Sequence, residues 1–164
     1  MPSLIMMRPV ARRLAPKRIS AATATALVTG VKTLSRTLGL RSGIAYGNCA
    51  SVEGQSTDSL FEIAENAGLA TGIVSTARIT HATPASTYAE SADRNWEDVS
   101  DMPEAAVTAG CADIADQLVH FEDYLESRYT GIDVDGIDVA MGGGRRHFLP
   151  NDAAFNSNDA VSET

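Results

Sequence analysis

Two short β-branched runs, one centred on Ile73 and Val74 and one covering Ile137 to Met141, stand in a chain whose other patterned segments read as helix. We expect strands over Ala70 to Thr76 and Ile137 to Met141. Helices alternating with such strands cover a sheet on its faces, which points to an α/β layered fold with a mainly parallel sheet. Functional residues in such sheets collect at the carboxyl ends of strands. Thr76–Thr83 and Met141–Gly144 both lie just past a strand.

The helical segments follow from periodicity and punctuation. A helix is expected from Ser20 to about Thr33, then a loop through Gly39, Gly43 and Gly47. A second helix is expected from about Ser56 to Ala67. Ser56 would be its N-cap, Asp58 and Glu62 would favour its N-terminal half, and Gly68 would stop it. Its apolar stripe is Leu60, Phe61, Ile63, Ala64 and Ala67. A short helix over Pro84 to Ala92 would carry proline in its first turn. A long helix from about Pro103 to Phe121 would place Ala106, Val107, Cys111, Ile114, Ala115 and Leu118 on one face, with Glu122, Asp123 and Glu126 as its solvated end. Gly142-Gly143-Gly144 lacks the spacing of a dinucleotide loop and reads as close backbone packing after a strand.

Charge is divided along the chain. All 21 acidic residues lie at or beyond Glu53, whereas eight of the 13 Lys and Arg lie before it. The basic part has no aromatic residue among Arg8, Arg12, Arg13, Lys17 and Arg18 for base stacking, and the acidic remainder repels a polyanion. Nucleic acid is therefore not an expected partner. A composition with 44% hydrophobic and 21% charged residues over 164 positions is that of one soluble domain. No apolar stretch is long enough to span a bilayer. The opening Met1 to Val10 does not read as a signal peptide, because its apolar part is short, interrupted by proline and followed by its basic residues. Cys49 and Cys111 are too few for an all-thiolate zinc site. They are either buried thiols or one disulfide, which would be worth about 4 kcal/mol on the chain-entropy estimate.

One segment bears on chemistry directly. Ser20-Ala-Ala-Thr-Ala-Thr-Ala-Leu-Val-Thr-Gly-Val-Lys-Thr33 puts a hydroxyl at a helix start with little bulk around it. The unpaired N–H groups and the dipole of a helix start favour an anion. This run resembles the nucleophile segment of the alkaline phosphatases. Two further blocks resemble the same family in the same order: Gly68 to Ala85, continued by Ala92-Asp-Arg-Asn-Trp96, and Val139-Ala-Met-Gly-Gly-Gly-Arg145. The similarity covers roughly Ser20 to Pro150.

The resemblance implies a partial three-layer sandwich, a metal-dependent phosphate monoester hydrolase and a phosphoserine intermediate at Ser20. It implies zinc on the Ser20 oxygen and magnesium held through the Thr83 hydroxyl. His81 would stand behind that magnesium, acting through water. Arg94 would clamp the phosphate, since a guanidinium offers parallel N–H donors to two oxygens. Charge pattern alone would instead make Arg94 an exposed salt-bridge partner of Asp93, Glu97 and Asp98. Thr83 could equally cap a helix starting at Pro84. His120 reads as a surface or boundary residue, and His147 resembles a non-catalytic family segment. Some members carry a disulfide near Cys49 and Cys111, members are often homodimers, and a periplasmic or extracellular location is implied.

The family places an aspartate directly before the nucleophile, where this chain has Ile19. No acidic residue precedes Ser20, and the remaining zinc and magnesium ligands of the family have no counterpart in this sequence. We therefore expect a basic, non-matching segment over residues 1–19, arising from a misread start. A partial phosphatase-like domain would cover 20–150, and a polar tail over 151–164 would end prematurely. Weak or no activity is expected of this chain alone. The alternative is a non-catalytic remnant that binds a phosphorylated ligand; a basic-arm binding module is more remote.

Overall fold

The structure, a computed structural model, describes residues 20–149. The expected basic segment over 1–19 and polar tail over 151–164 fall outside the described residues. The element order is α1 (Ser20–Thr29), α2 (Leu60–Asn66), β1 (Gly72–Arg78), α3 (Ala82–Ala85), α4 (Glu104–Thr108), α5 (Ile114–Val119), α6 (Phe121–Arg128) and β2 (Val139–Gly143). Short 3₁₀ turns cover Cys49–Ser51, Val99–Asp101 and Arg145–Phe148.

β1 and β2 pair in parallel, with Ile73 opposite Ala140 and Val74 opposite Met141. The α/β class and the parallel sense of the sheet are as expected. Each strand sits two residues further along the chain than its apolar run suggested. The start of β1 is fixed by Thr71, whose N–H donates to the Asp138 carboxylate at 2.7 Å. At the other end the Ile79 N–H reaches the Gly143 carbonyl at 2.9 Å. A Cβ on Gly142 would lie 3.1 Å from the Ala77 carbonyl oxygen, so the glycine run serves close backbone packing, as expected, but from within β2. One face of the pair is open, with Val74 and Met141 exposed.

The core lies where α1, α3 and β1 meet. Ala21, Ile73, Ile79, Ala82, Ala85 and Tyr88 form it with Ile114, Phe121 and Leu125. The small residues of α1 let it approach α3 closely, burying Ala21, Ala24 and Thr25. A second cluster gathers Leu40, Ile44, Ala92, Trp96 and Ala106 beside Cys49 and Cys111. Those two cysteines are joined in a disulfide, with Cα atoms 5.8 Å apart.

Several helix expectations are corrected. α1 ends at Thr29 and not near Thr33, because Gly30 takes a left-handed φ of 71° and closes the helix by donating to the Ala26 carbonyl. α2 is capped by Ser59 and not Ser56. Ser59 and Glu62 satisfy each other's backbone N–H groups in a capping box, while the Ser56 hydroxyl is spent on Glu90 at 2.6 Å. The inward face of α2 is also not its full apolar stripe: Phe61 packs on the core, but the acids beside it go in with it. Leu60 and Ile63 are exposed, whereas Glu62 and Glu65 are buried. Their carboxylates find partners inside: Glu62 pairs with Arg128, and Glu65 accepts from Thr71.

α3 begins two residues before Pro84 and ends at Ala85, without a side-chain cap. The long helix over Pro103 to Phe121 is instead two short helices, with α6 following. Gly110 adopts a left-handed φ of 81°, and Asp113 then caps α5 by accepting from the Asp116 N–H at 2.7 Å. The freed N–H groups of Ile114 and Ala115 donate to Trp96 and Glu97 carbonyls, tying this turn to the segment after Arg94.

Candidate active site

Ser20 opens α1 and is half-buried. The burial of Ala21 and Ala24 against α3 holds the first turn of α1 beside the segment that follows β1. That segment carries His81, immediately before α3. Arg94 arrives from 13 residues further on, and its guanidinium joins the other two. Arg94 Nη1 donates to Ser20 Oγ at 2.5 Å, across a sequence separation of 74 residues. Arg94 Nη2 lies 2.8 Å from His81 Nε2.

Arginine is always a donor here, so His81 Nε2 must accept and its proton sits on Nδ1. Burial pushes the imidazolium down, and the positive charges of Arg94 and Arg78 push in the same direction. His81 is thus a neutral ring that orients Arg94. Its Nδ1 is buried and has no hydrogen-bond partner among the described residues. Arg94 has not collapsed onto the carboxylates near it in sequence. Its ring and hydroxyl partners are neutral, and two of its five N–H groups serve them.

Thr83 is exposed on the first turn of α3. No hydrogen bond joins it to the other three among the described residues. Nor does it cap a helix at Pro84, since α3 has already started there. Among the described residues the Ser20 and Thr83 hydroxyls are the sequence-predicted ligand atoms left for a metal, since His81 Nε2 accepts from Arg94 and its Nδ1 carries the proton. Two hydroxyls with no carboxylate do not fit a zinc or magnesium site.

Sequence reasoning set His147 aside, and the structure makes it part of a buried network. His147 Nδ1 lies 2.6 Å from Asp98 Oδ2, and its Nε2 lies 3.2 Å from Glu97. Glu97 in turn takes two N–H groups of Arg78, at 2.8 and 2.6 Å, and the Thr80 hydroxyl at 2.6 Å. Burial pushes Glu97 up, but the Arg78 and Thr80 hydrogen bonds outweigh it and hold the carboxyl below its usual range. Asp98, Asp101 and His147 bring one possible ligand atom each to within 4.8 Å of one another. With His147 and Asp98 already engaged with each other, the network reads as a tie between the end of β1 and the turn after β2. His120 is exposed between α5 and α6, as expected. Among the described residues no helix is long and apolar enough to cross a membrane.

Comparison with known proteins agrees with the family resemblance. A family model described as alkaline phosphatase matches residues 17–161. The tissue-nonspecific alkaline phosphatase of Homo sapiens is 38% identical over 148 residues, covering 88% of this chain and 26% of that protein. The alkaline phosphatase of Gadus morhua is 40% identical over 131 residues, covering 80% of this chain and 25% of that protein. A solved alkaline phosphatase from the Antarctic bacterium TAB5 superposes with a TM-score of 0.40 at 30% identity, over 70% of this chain and 29% of that one. The chain thus spans about a quarter of the length of the curated relatives it matches. On the family match over most of its length, the chain belongs to the alkaline phosphatase family.

Proposed function

We propose that this chain carries the nucleophile and the phosphate clamp of a phosphate monoester hydrolase of the alkaline phosphatase type. The observation behind this reading is the Arg94–Ser20 contact at 2.5 Å. Nothing local in the sequence brings these residues together, and a guanidinium beside a serine oxygen is suited to hold a phosphoryl group at an attacking atom. Ser20 Oγ would attack phosphorus, forming a P–O bond to serine as the bond to the ester oxygen breaks. The proton that the Ser20 hydroxyl gives up passes to water, and the departing alcohol takes one from water. Water then cleaves the phosphoserine, releasing inorganic phosphate and restoring the hydroxyl. The Arg94 N–H favours the charged form of the serine oxygen and the non-bridging oxygens alike. His81, neutral, keeps Arg94 turned toward Ser20.

Zinc and magnesium are the ions the family resemblance implies, with Ser20 and Thr83 as the hydroxyl donors and His81 behind. The donor set around Ser20 falls short of either site, which favours a second reading: capture of a phosphorylated ligand without turnover. An exported location, periplasmic or extracellular, accords with the Cys49–Cys111 bridge.

The two readings part in an assay of the full chain with p-nitrophenyl phosphate, zinc and magnesium. Turnover that Ser20→Ala and a chelator both abolish supports the hydrolase. A folded chain that binds inorganic phosphate but releases no nitrophenol supports the binding reading. A folded chain that does neither overturns both.

A further inference from the structure

Arg94 is followed and preceded by acidic residues, yet its guanidinium rests on neutral partners. The reason lies one residue away. The Asp93 carboxylate is held by a loop distant in sequence: the Tyr46 hydroxyl donates to Oδ2, and Arg36 Nη2 lies 3.8 Å from Oδ1. Oδ1 also accepts the Asn95 N–H at 3.0 Å. Arg36 stacks over the Tyr46 ring, 4.7 Å from its centroid, so the two holders brace each other.

The backbone joins the same loop to Arg94. The Arg94 N–H donates to the Arg36 carbonyl at 2.8 Å, and the Gly47 N–H donates to Ala92 at 3.1 Å. Arg36 is the one non-glycine among the described residues with a positive φ, at 73°. A side chain in that region is strained and persists where its surroundings require it. Burial does not supply the requirement, because Arg36 and Tyr46 are both exposed. Exposed ion pairs add little stability. What the arrangement does achieve is to occupy Asp93.

We infer that Arg36 and Tyr46 are positioning residues that sequester the Asp93 carboxylate, so that the Arg94 guanidinium keeps its charge for a phosphoryl group. The inference rests on the reading of Arg94 as a phosphate clamp. Released, Asp93 would compete with the ligand from the adjacent position. Local desolvation of the hydroxyl, although the ring is exposed, and its hydrogen bond to Asp93 push the Tyr46 phenol up to about 12, so it goes on donating through the mildly alkaline range.

The test uses the full chain and two variants, Tyr46→Phe and the double variant Tyr46→Phe with Asp93→Asn. Inorganic phosphate is titrated by calorimetry, and the Arg94 Nε–Hε resonance is followed by NMR without phosphate. Tyr46→Phe is expected to weaken phosphate binding about five- to tenfold and to move the Arg94 resonance. The double variant should return both to within about twofold of the starting protein, which a merely structural loss would not do. Equal binding by Tyr46→Phe, or a double variant as weak as the single one, overturns the inference. If the unaltered chain binds no phosphate, the clamp reading fails on its own. The phosphate-free resonance then still decides whether Tyr46 keeps Asp93 off Arg94: a shift that the double variant reverses upholds the sequestration, and an unmoved resonance refutes it.

Discussion

Two arginines each draw distant segments together, and they do so with opposite electrostatics. Arg94 reaches Ser20 and the neutral ring of His81. Arg128, at the end of α6, is ringed by carboxylates: Asp58 at 3.1 Å, Glu90 at 2.9 Å and Glu62 in a shorter ion pair. One guanidinium cannot neutralise three carboxylates. Burial, followed by the nearby Glu62 and Asp58 charges, therefore outweighs Arg128 at Glu90 and raises its carboxyl to about 7. Glu90 Oε1 lies within ion-pair distance of Arg128 yet off its N–H direction, and has no hydrogen bond among the described residues. A cation among neutral partners has charge left for an anion. A cation with more acids than it can serve holds the fold and has nothing to offer a ligand.

The sharpest way to break this contrast is to delete each cation in turn. Arg128→Met leaves three carboxylates facing one another, two of them largely buried. It should cost about 3 to 5 kcal/mol in urea unfolding, while phosphate affinity stays unchanged in the fraction that folds. Arg94→Met should do the reverse, with stability within about 1 kcal/mol and phosphate binding lost. Equal losses of stability from the two would mean that Arg94 is structural after all.

The acid-rich side can be tested by its pH response. Glu90 has a folded-state pKa raised from 4.5 to about 7. The folded chain therefore holds that proton more tightly than the unfolded chain does. The stability this contributes is present below about pH 4.5 and is lost as pH rises through about 7. Glu90→Gln should remove that slope, leaving the variant more stable than the original chain at pH 8 by at most about 3 kcal/mol. Urea midpoints compared at pH 5 and pH 8 measure it. Parallel curves for the two proteins would show that Arg128 serves Glu90 fully.

How far the sequence discloses this contrast depends on range. Ser20 and Arg94 stand out in the sequence as candidates because each lies in a motif that carries its own context, and the parallel pairing follows from two β-branched runs with helices between. α2 departs from its local pattern, in which periodicity ranks Leu60 and Ile63 as inward and Glu62 as outward. The partner that makes Glu62 an inside residue, Arg128, is 66 positions away, and no local pattern reports it. The long helix over 103–121 failed for a nearer reason. An apolar stripe runs straight through Gly110, and the Asp113 cap that restarts the chain matters only once Trp96 and Glu97 offer carbonyls to the freed N–H groups. His147 is silent in the sequence on the same account, since Asp98 lies 49 residues earlier.

The gentlest substitution separates charge from shape. Arg94→Lys keeps the positive charge but replaces a planar set of donors with a single ammonium. Lysine cannot hold Ser20 and His81 in the present geometry and also meet two phosphate oxygens side by side. Phosphate affinity should fall about 10- to 100-fold, equivalent to about 1.4 to 2.7 kcal/mol, with little change in the urea midpoint. Arg128→Lys should behave differently, since carboxylates around a point charge tolerate its geometry better than a phosphoryl group does. Its stability loss should be smaller than that of Arg128→Met, and its phosphate affinity untouched. If Arg94→Lys instead binds phosphate as well as the original chain, then a bare positive charge at this position suffices, and the paired N–H donors are not what makes the site.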